Sequence, residues 1–363
     1  MFVRPRVLVA MSGGVDSSVA AHLLLKEGYE VIGATMQLWP EDTPLVDGEV
    51  GCCSLSAIED ARRVAHKLGI PHYVLNYKSL FEKQVVDYFV NEYQRGRTPN
   101  PCMACNRYFR FDALLKKASE LEIDYVATGH YANIYYDNFH QKYLLAKGAD
   151  PSKDQSYFLY GFTQKQMART LLPVGKYAKT EIREQAQALG LAVAKKPDSQ
   201  EICFIPDNDY RNFLEGRLEK PQRPGLFLDE EGRVLGEHQG ITNYTIGQRK
   251  GLGISLGYPV YVIKLDVERN TVILGPKASL YSKGLLSEEN NFILIEELKS
   301  AMKVAVKIRY RFKPVPATIM PKEDKVAVVF DAAQPAVTPG QVVVYYQGDL
   351  VVGGGIITDK NGL

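Results

Sequence analysis

Nowhere does the 363-residue chain hold an uninterrupted apolar run of about 18 residues, the length a membrane-crossing helix needs. Its basic start, Met1-Phe2-Val3-Arg4-Pro5-Arg6, leads straight into a core-strand pattern where a secretory signal would have its apolar stretch. A cytoplasmic location with no membrane partner is the expectation. Cysteine is scarce and odd in number, five in all, which argues against a disulfide framework and for reduced thiols with structural, metal-binding or catalytic duties. Charge of one sign is not in excess either: 44 Lys and Arg against 42 Asp and Glu leave a net +2, so any polyanion must be met by basic residues gathered locally. The G-x-x-x-x-G-K-[ST] pattern of the common ATP-binding loop is also missing, so no lysine closes a phosphate turn from within the motif.

What remains is a globular composition, 45% apolar and 24% charged, at a length that suggests about two or three domains. The chain is organised around Val7-Leu8-Val9-Ala10-Met11-Ser12-Gly13-Gly14-Val15-Asp16-Ser17-Ser18. An apolar run enters a Ser-Gly-Gly turn, after which Val15, Val19 and Leu23 recur at helical spacing. Adjacent glycines permit positive φ and bring no side chains, so successive N–H groups can converge on an anion at the helix's positive end. Ser12, Asp16, Ser17 and Ser18 add hydroxyls and a carboxylate, a set suited to a departing pyrophosphate and to Mg²⁺. As a bare glycine pair this would be an ordinary turn with helix caps. The fuller pattern resembles the PP-loop of ATP pyrophosphatases.

Strand patterns at Tyr29 to Met36, His72 to Leu75 and Tyr125 to His130 alternate with helical ones ending at Gly28 and running from Ser54 to Leu68, from Ser79 to Tyr93 and from Phe109 to Leu121. This alternation predicts an α/β fold with a doubly wound parallel sheet, whose ligands lie at the carboxyl ends of the strands. Met36 and His130 fall at such ends, so an adenine contact and a site role are expected of them ahead of plain core duty. Leu38 to Gly51 reads as a loop, and Cys52 and Cys53 as structural thiols.

Arg95 to Arg107 holds Thr98-Pro99-Asn100-Pro101-Cys102-Met103-Ala104-Cys105. Two prolines stop any helix across Thr98 to Pro101 and predict thiols displayed on or just after a stiff loop, where Arg95, Arg97, Arg107 and Arg110 would favour thiolate and attract phosphate. A thioredoxin-like pair does not fit the Ser-Gly-Gly turn, and no second Cys-x-x-Cys or nearby His pair completes a zinc site. An iron–sulfur cluster stays open if Cys203 approaches as a third ligand. Farther on come a hairpin pattern at Ile134 to Lys147, a polar loop at Lys153 to Tyr157, a helix at Thr180 to Leu189, and Cys203 in a short apolar segment.

From about Tyr210 glycine and proline break the chain often, which predicts a small middle domain containing the loop Thr245 to Gly253. Beyond Leu280, strands at Val304 to Tyr310, Lys325 to Phe330 and Val342 to Tyr346 with a Gly353-Gly354-Gly355 corner suggest a small β-barrel. Period two would place Lys303, Lys307, Arg309 and Arg311 on one face, suited either to solvent or to phosphate. The expected domains are thus residues 1–209, 210–279 and 280–363.

Ser12-Gly13-Gly14-Val15-Asp16-Ser17, Asn100-Pro101-Cys102-x-x-Cys105-Asn106, Ala127-Thr128-Gly129-His130-Tyr131-Ala132, Lys153-Asp154-Gln155-Ser156-Tyr157, Asp198 to Phe204, Gly247 to Gly251 and Arg309-Tyr310-Arg311 together resemble the tRNA-specific 2-thiouridylases, the MnmA family. The resemblance implies 2-thiolation of the wobble uridine of tRNA with ATP, Mg²⁺ and a persulfide relayed by a sulfur carrier or cysteine desulfurase system. By motif, it assigns ATP to Ala10, Met11, Ser12, Gly13, Gly14, Val15, Asp16, Ser17, Met36 and Gly129. It gives the target base to Asn100, Pro101 and Cys102, and tRNA contact to His130, Lys153, Asp154, Gln155, Arg309, Tyr310 and Gln341. Cys203 would carry the persulfide and Cys105 would be its partner thiol, the pair able to end as a disulfide. Many relatives carry Asp, as the acid/base of the base-binding loop, where this chain has Cys102. The resemblance thus gives Cys102 the catalytic position, where a thiol can exchange protons but carries no fixed charge at neutral pH unless its pKa is lowered. A different PP-loop enzyme, such as another tRNA thiolase or an amidating ligase, and an RNA-binding protein that holds ATP only as a ligand are the rival readings.

Overall fold

A computed structural model of the chain describes residues 4–38, 55–198, 202–205, 209–218 and 221–359. The expected loop after Leu38, the thiols Cys52 and Cys53, the cap Ser54 and the stretch Ser199 to Glu201 lie outside the described residues. The chain divides into two compact units. One comprises Met1–Val85, Cys102–Asn208 and Asp349–Val351; the other comprises Val86–Pro101, Asp209–Gly348 and Val352–Leu363.

The first unit is built on strands β1 (Arg6–Ala10), β2 (Glu30–Gln37), β3 (His72–Asn76) and β4 (Tyr125–Ala127), the hairpin of β5 (Ala132–Asp137) and β6 (Lys142–Lys147), and β7 (Thr170–Leu171). Its main sheet runs in the order β3-β2-β1-β4-β7, and every pairing in it is parallel. Helices α1 (Val15–Lys26) and α2 (Leu55–Leu68) carry the chain from β1 to β2 and from β2 to β3, after which it returns to the other side of β1. The order therefore reverses between β1 and β4, and the crevice outside their carboxyl ends is where an open α/β sheet takes its ligand. Val7 and Val9 of β1 are fully buried together with Val19, Ala20 and Ala21 of α1, because both faces of a parallel sheet are covered.

The Cys-x-x-Cys follows directly on the expected loop, since residues 97–100 have no regular structure. Pro101–Ala104 is a helical turn that continues as a π-helical turn, Cys105–Arg110, into the helix Phe111–Glu120. Pro101 opens this helix where its missing N–H costs nothing, so the two prolines stop any helix before it and the thiols sit just after the loop. The expected helix from Ser79 to Tyr93 is likewise interrupted by a π-helical turn at Glu82–Val86.

In the second unit, β8 (Gly225–Leu228), β9 (Val234–His238), β10 (Tyr261–Asp266) and β11 (Thr271–Gly275) form a sheet in the order β10-β11-β8-β9. It encloses a core of Phe227, Tyr244, Val262, Val272 and Leu274. The remaining strands are β12 (Tyr281–Phe292), β13 (Met302–Lys307), β14 (Val315–Lys322), β15 (Lys325–Pro335), β16 (Val342–Gln347) and β17 (Leu350–Asp359). They follow the order β12-β15-β14-β13-β16-β17, and pairing of β12 with β17 closes the barrel around Val306, Ile319, Val328, Val343 and Ile357. The glycines expected at a corner lie inside β17. A Cβ at Gly353 would stand 2.3 Å from the Asn291 carbonyl oxygen, so the small residues let β12 close on β17.

The basic strand face also needs correction. β13 stops at Lys307, whose side chain is buried with its ammonium 5.5 Å from the Tyr310 ring centroid, and only Lys303 and Arg311 of the four cations are exposed. Period two fails because the chain leaves the strand before Arg309. Residues Val86–Pro101, which the sequence places with the first domain, group with the second unit: Thr98 N–H donates to the Pro339 carbonyl at 2.9 Å, and Arg97 pairs with Glu92 and Glu288 at 2.8 and 3.1 Å.

Candidate active site

β1 delivers Ala10 and Met11 to the switch-point crevice, and the chain turns there through Ser12, Gly13 and Gly14 into α1. Met11 is anchored at both ends of its peptide: its N–H donates to the Ala34 carbonyl at 2.8 Å, and its carbonyl accepts from the Thr35 hydroxyl at 2.7 Å. Gly13 has φ +66, and a Cβ on it would stand 2.2 Å from the Ala57 carbonyl oxygen of α2, so both conformation and space require glycine. Gly14 is the N-cap and no side chain caps it, which leaves the first-turn N–H groups without that competitor. The serine hydroxyls brace the turn from within. Ser17 Oγ accepts from Ser12 N–H at 3.2 Å, and Ser18 Oγ donates to the Gly14 carbonyl at 2.8 Å.

The loop after β4 closes on the same turn. A Cβ on Gly129 would lie 2.6 Å from the Ser17 nitrogen and 2.9 Å from the Asp16 Cβ, so the missing side chain is what allows the two segments to touch. Tyr131 donates its hydroxyl to Asp16 Oδ1 at 2.7 Å, and its phenol is pushed far above the ordinary tyrosine range by burial and by the Asp16 charge. Met36 is buried on β2, the strand paired with β1.

The cation that the turn lacks in sequence comes from elsewhere. Lys179, first residue of the helix Lys179–Ala188, places Nζ 2.7 and 2.8 Å from the two Asp16 carboxylate oxygens. The same ammonium lies 2.8 Å from Asp198 Oδ1, and Asp198 is also paired with Lys153 at 2.7 Å and Arg183 at 3.0 Å. Burial works against the Asp198 charge, but hydrogen bonds and charge from Lys153 and Lys179 prevail and hold its carboxyl at about 2. Lys196 adds a second amine, 3.3 Å from the Gly13 carbonyl oxygen and 2.7 Å from Asp60. Sequence reasoning missed Lys179, Lys196 and the Tyr131 bond, since Lys179 is 163 residues from Asp16 and marks only the start of an amphipathic helix.

A nucleotide suits these residues: a left-handed glycine and uncapped N–H groups at a helix start suit phosphate, with Lys179 on the Asp16 carboxylate and Lys196 on the Gly13 carbonyl oxygen beside them. Mg²⁺ would find Asp16 and, beyond it, chiefly phosphate oxygens, for among the described residues no three His, Cys, Asp or Glu side chains are grouped as metal ligands. For the same reason Cys102, Cys105 and Cys203 do not stand as the three-cysteine set an iron–sulfur cluster requires.

Cys102 is exposed and Cys203 half-buried, but Cys105 is buried, so the expected display of both Cys-x-x-Cys thiols does not hold. The arginines expected beside them are engaged: Arg107 donates to the Tyr160 hydroxyl at 2.9 Å, and Arg95 and Arg97 pair with Glu92. Asn100 and Pro101 belong to the second unit and Cys102 to the first. His130 is buried, with Nδ1 2.8 Å from the Thr128 hydroxyl. Asp154 accepts from Gly148 and Ser156 N–H groups, and Gln155 Oε1 accepts from Tyr131 N–H. In the second unit Gln341 donates to the Thr98 carbonyl at 2.8 Å and Arg309 to those of Pro335 and Ala336, while Tyr310 is half-buried. Most of the residues expected to meet tRNA thus have intramolecular partners that fix their position.

Comparison with known proteins places the chain. Residues 5–207 match a family described as the tRNA methyl transferase HUP domain, residues 211–276 a PRC-barrel domain of that series, and residues 282–357 an aminomethyltransferase beta-barrel domain. The tRNA-specific 2-thiouridylase MnmA of Acetivibrio thermocellus is 58% identical over 98% of this chain and 99% of that protein, and the one of Moorella thermoacetica 57% identical over 96% and 98%. A solved structure of the U34-tRNA thiolase NcsA from Methanococcus maripaludis with its [4Fe-4S] cluster is similar only at 19% identity and TM-score 0.34, over 59% of this chain and 67% of that one. With relatives this similar over nearly their whole length, the chain belongs to the tRNA-specific 2-thiouridylase MnmA family.

Proposed function

We propose that this protein is an ATP-dependent tRNA uridine 2-sulfurtransferase acting on the wobble position, in which the Ser12 to Ser17 turn binds ATP and Cys203 and Cys105 handle the sulfur. The observation that carries the reading is the charged chain Asp16–Lys179–Asp198. It joins the phosphate turn to the motif that runs on to Cys203. Family membership supports tRNA as substrate, with the middle domain and barrel, together with His130, Lys153, Asp154, Gln155, Arg309, Tyr310 and Gln341, as the surfaces that receive it.

The chemistry follows from two poor partners, a carbonyl oxygen that does not leave and a sulfur that needs an electrophile. Attack of the uridine O2 on the α-phosphorus of ATP forms an O–P bond and breaks the bond to pyrophosphate, which leaves. Magnesium, when bound, would offset charge on the phosphates, held by Asp16. Ser12 and Ser17 hydroxyls and the open α1 amides orient the phosphates, and Gly129 leaves room beside them. Asn100, Pro101 and Cys102 face the base. Cys203 carries a persulfide from a relay protein. In one order the terminal sulfur attacks C2, AMP leaves with the former O2, and Cys105 then attacks the Cys203 sulfur so that the S–S bond breaks and the thiocarbonyl is freed. In the other, Cys105 attacks the inner sulfur first, and the released hydrosulfide attacks C2 and displaces AMP. A Cys105–Cys203 disulfide formed in this way must be reduced by an external thiol before the next turnover. Placing these steps in the cytoplasm accords with the need for reduced thiols.

The test is to mix protein, tRNA, ATP and a persulfide donor and to follow pyrophosphate and thiolated nucleoside together. Full turnover by Cys105→Ser and Cys203→Ser would favour an amidating PP-loop ligase, and no pyrophosphate would favour ATP as a mere ligand.

A further inference from the structure

We propose that Lys179 and Lys196 form the cationic half of the pyrophosphate subsite, replacing from distant elements the lysine that the Ser-Gly-Gly turn does not contain. This rests on the ATP reading above and adds to it the residues that hold the leaving group.

The turn alone is poorly suited to a polyanion, because its one charged side chain, Asp16, is negative. Two lysines meet it from different parts of the chain, one on the Asp16 carboxylate and one on the Gly13 carbonyl oxygen. Lys179 keeps only 9% of its side-chain surface exposed, and a buried ammonium of this kind persists only with anionic partners. It has two, Asp16 at 2.7 Å and Asp198 at 2.8 Å, on one amine. The amine can therefore turn toward a phosphate and release Asp16 to magnesium while Asp198 keeps it neutralised. Lys196, held by Asp60 and more exposed, has the same option toward a phosphate near Gly13. A purely structural pair fastening the Lys179–Ala188 helix to α1 would need only Asp16 and would give Lys196 no reason to lie on the turn.

The experiment measures binding of magnesium pyrophosphate and, separately, of AMP to the full chain by calorimetry. The proteins are the wild type, Lys179→Gln, Lys196→Gln and Lys179→Arg. Each Gln variant should lose pyrophosphate affinity on the order of tenfold or more, AMP affinity should stay within about twofold, and Lys179→Arg should recover most of the loss. Unchanged pyrophosphate affinity in both Gln variants, or a parallel fall in AMP affinity, would overturn the proposal while leaving the ATP reading intact. Should Lys179→Gln not fold, Lys196→Gln decides the matter by the same criterion. A wild type that binds neither ligand removes the ATP reading and this inference with it.

Discussion

Phe204, the residue after Cys203, packs edge-on against Phe81 with ring centroids 5.7 Å apart. Phe81 in turn meets Phe109, on the π-helical turn that begins with Cys105, at 5.7 Å. One fully buried ring thus ties the short segment that carries Cys203 to the helix that carries Cys105. Phe81→Ala should cost about 3–5 kcal/mol of stability and slow Cys105–Cys203 disulfide formation under a mild oxidant. Denaturant unfolding and diagonal gel electrophoresis check the two halves; an unchanged disulfide rate in a destabilised variant would separate the thiols from this cluster.

Gly129→Ala probes the closure of the β4 loop on the phosphate turn. The added Cβ meets backbone at Ser17 and Asp16, which cannot rotate away, and overpacking of this kind costs about 1–3 kcal/mol. The expected outcome is weaker ATP binding, seen as a raised KM for ATP with tRNA affinity preserved in a filter assay. Wild-type ATP affinity would show that the close approach has no bearing on the nucleotide.

Asp198 gives a pH prediction. Its folded pKa of about 2 lies below the ordinary 3.8, so folding favours the carboxylate. The resulting stabilisation is fully present above about pH 4 to 5 and is lost as pH falls through 2. Asp198→Asn should therefore lower Tm at neutral pH, and the gap from wild type should narrow on acidification toward pH 2. A gap independent of pH would mean that the Lys153, Lys179 and Arg183 pairs do not set stability.

How much of this was legible in the sequence depended on whether the signal was local. The strand-turn-helix at Val7 to Ser18 was readable because its glycines, serines and apolar spacing are contiguous, and the parallel order of the main sheet followed from alternation. The two prolines stop any helix before Pro101, as the sequence predicts, but nothing local told that the helix Pro101 opens would bury Cys105. The same logic misread Lys307 because a strand's end is set by packing against neighbours and not by its own alternation. Lys179 and Lys196 were out of reach, for nothing in a linear chain says that they arrive at Asp16 and Gly13.

Cys203→Ser separates binding from sulfur transfer. ATP and tRNA affinities should match the wild type while thiolation falls below detection, because serine fills the same space but cannot hold a sulfane sulfur. Cys105 is buried, and Cys105→Ser should likewise leave nucleotide binding intact while turnover is lost. Product at the wild-type rate from either variant would remove that thiol from the mechanism.

The central claim is that ATP spent at its α-phosphate activates a uridine for sulfur insertion. The most direct measurement is a single reaction of this protein with tRNA, ATP, Mg²⁺ and a persulfide donor, quenched and analysed by mass spectrometry for nucleosides and nucleotides together. 2-Thiouridine, AMP and pyrophosphate should rise in equal amounts. ADP in place of AMP, or AMP with no thiolated nucleoside from the complete mixture, would contradict the claim.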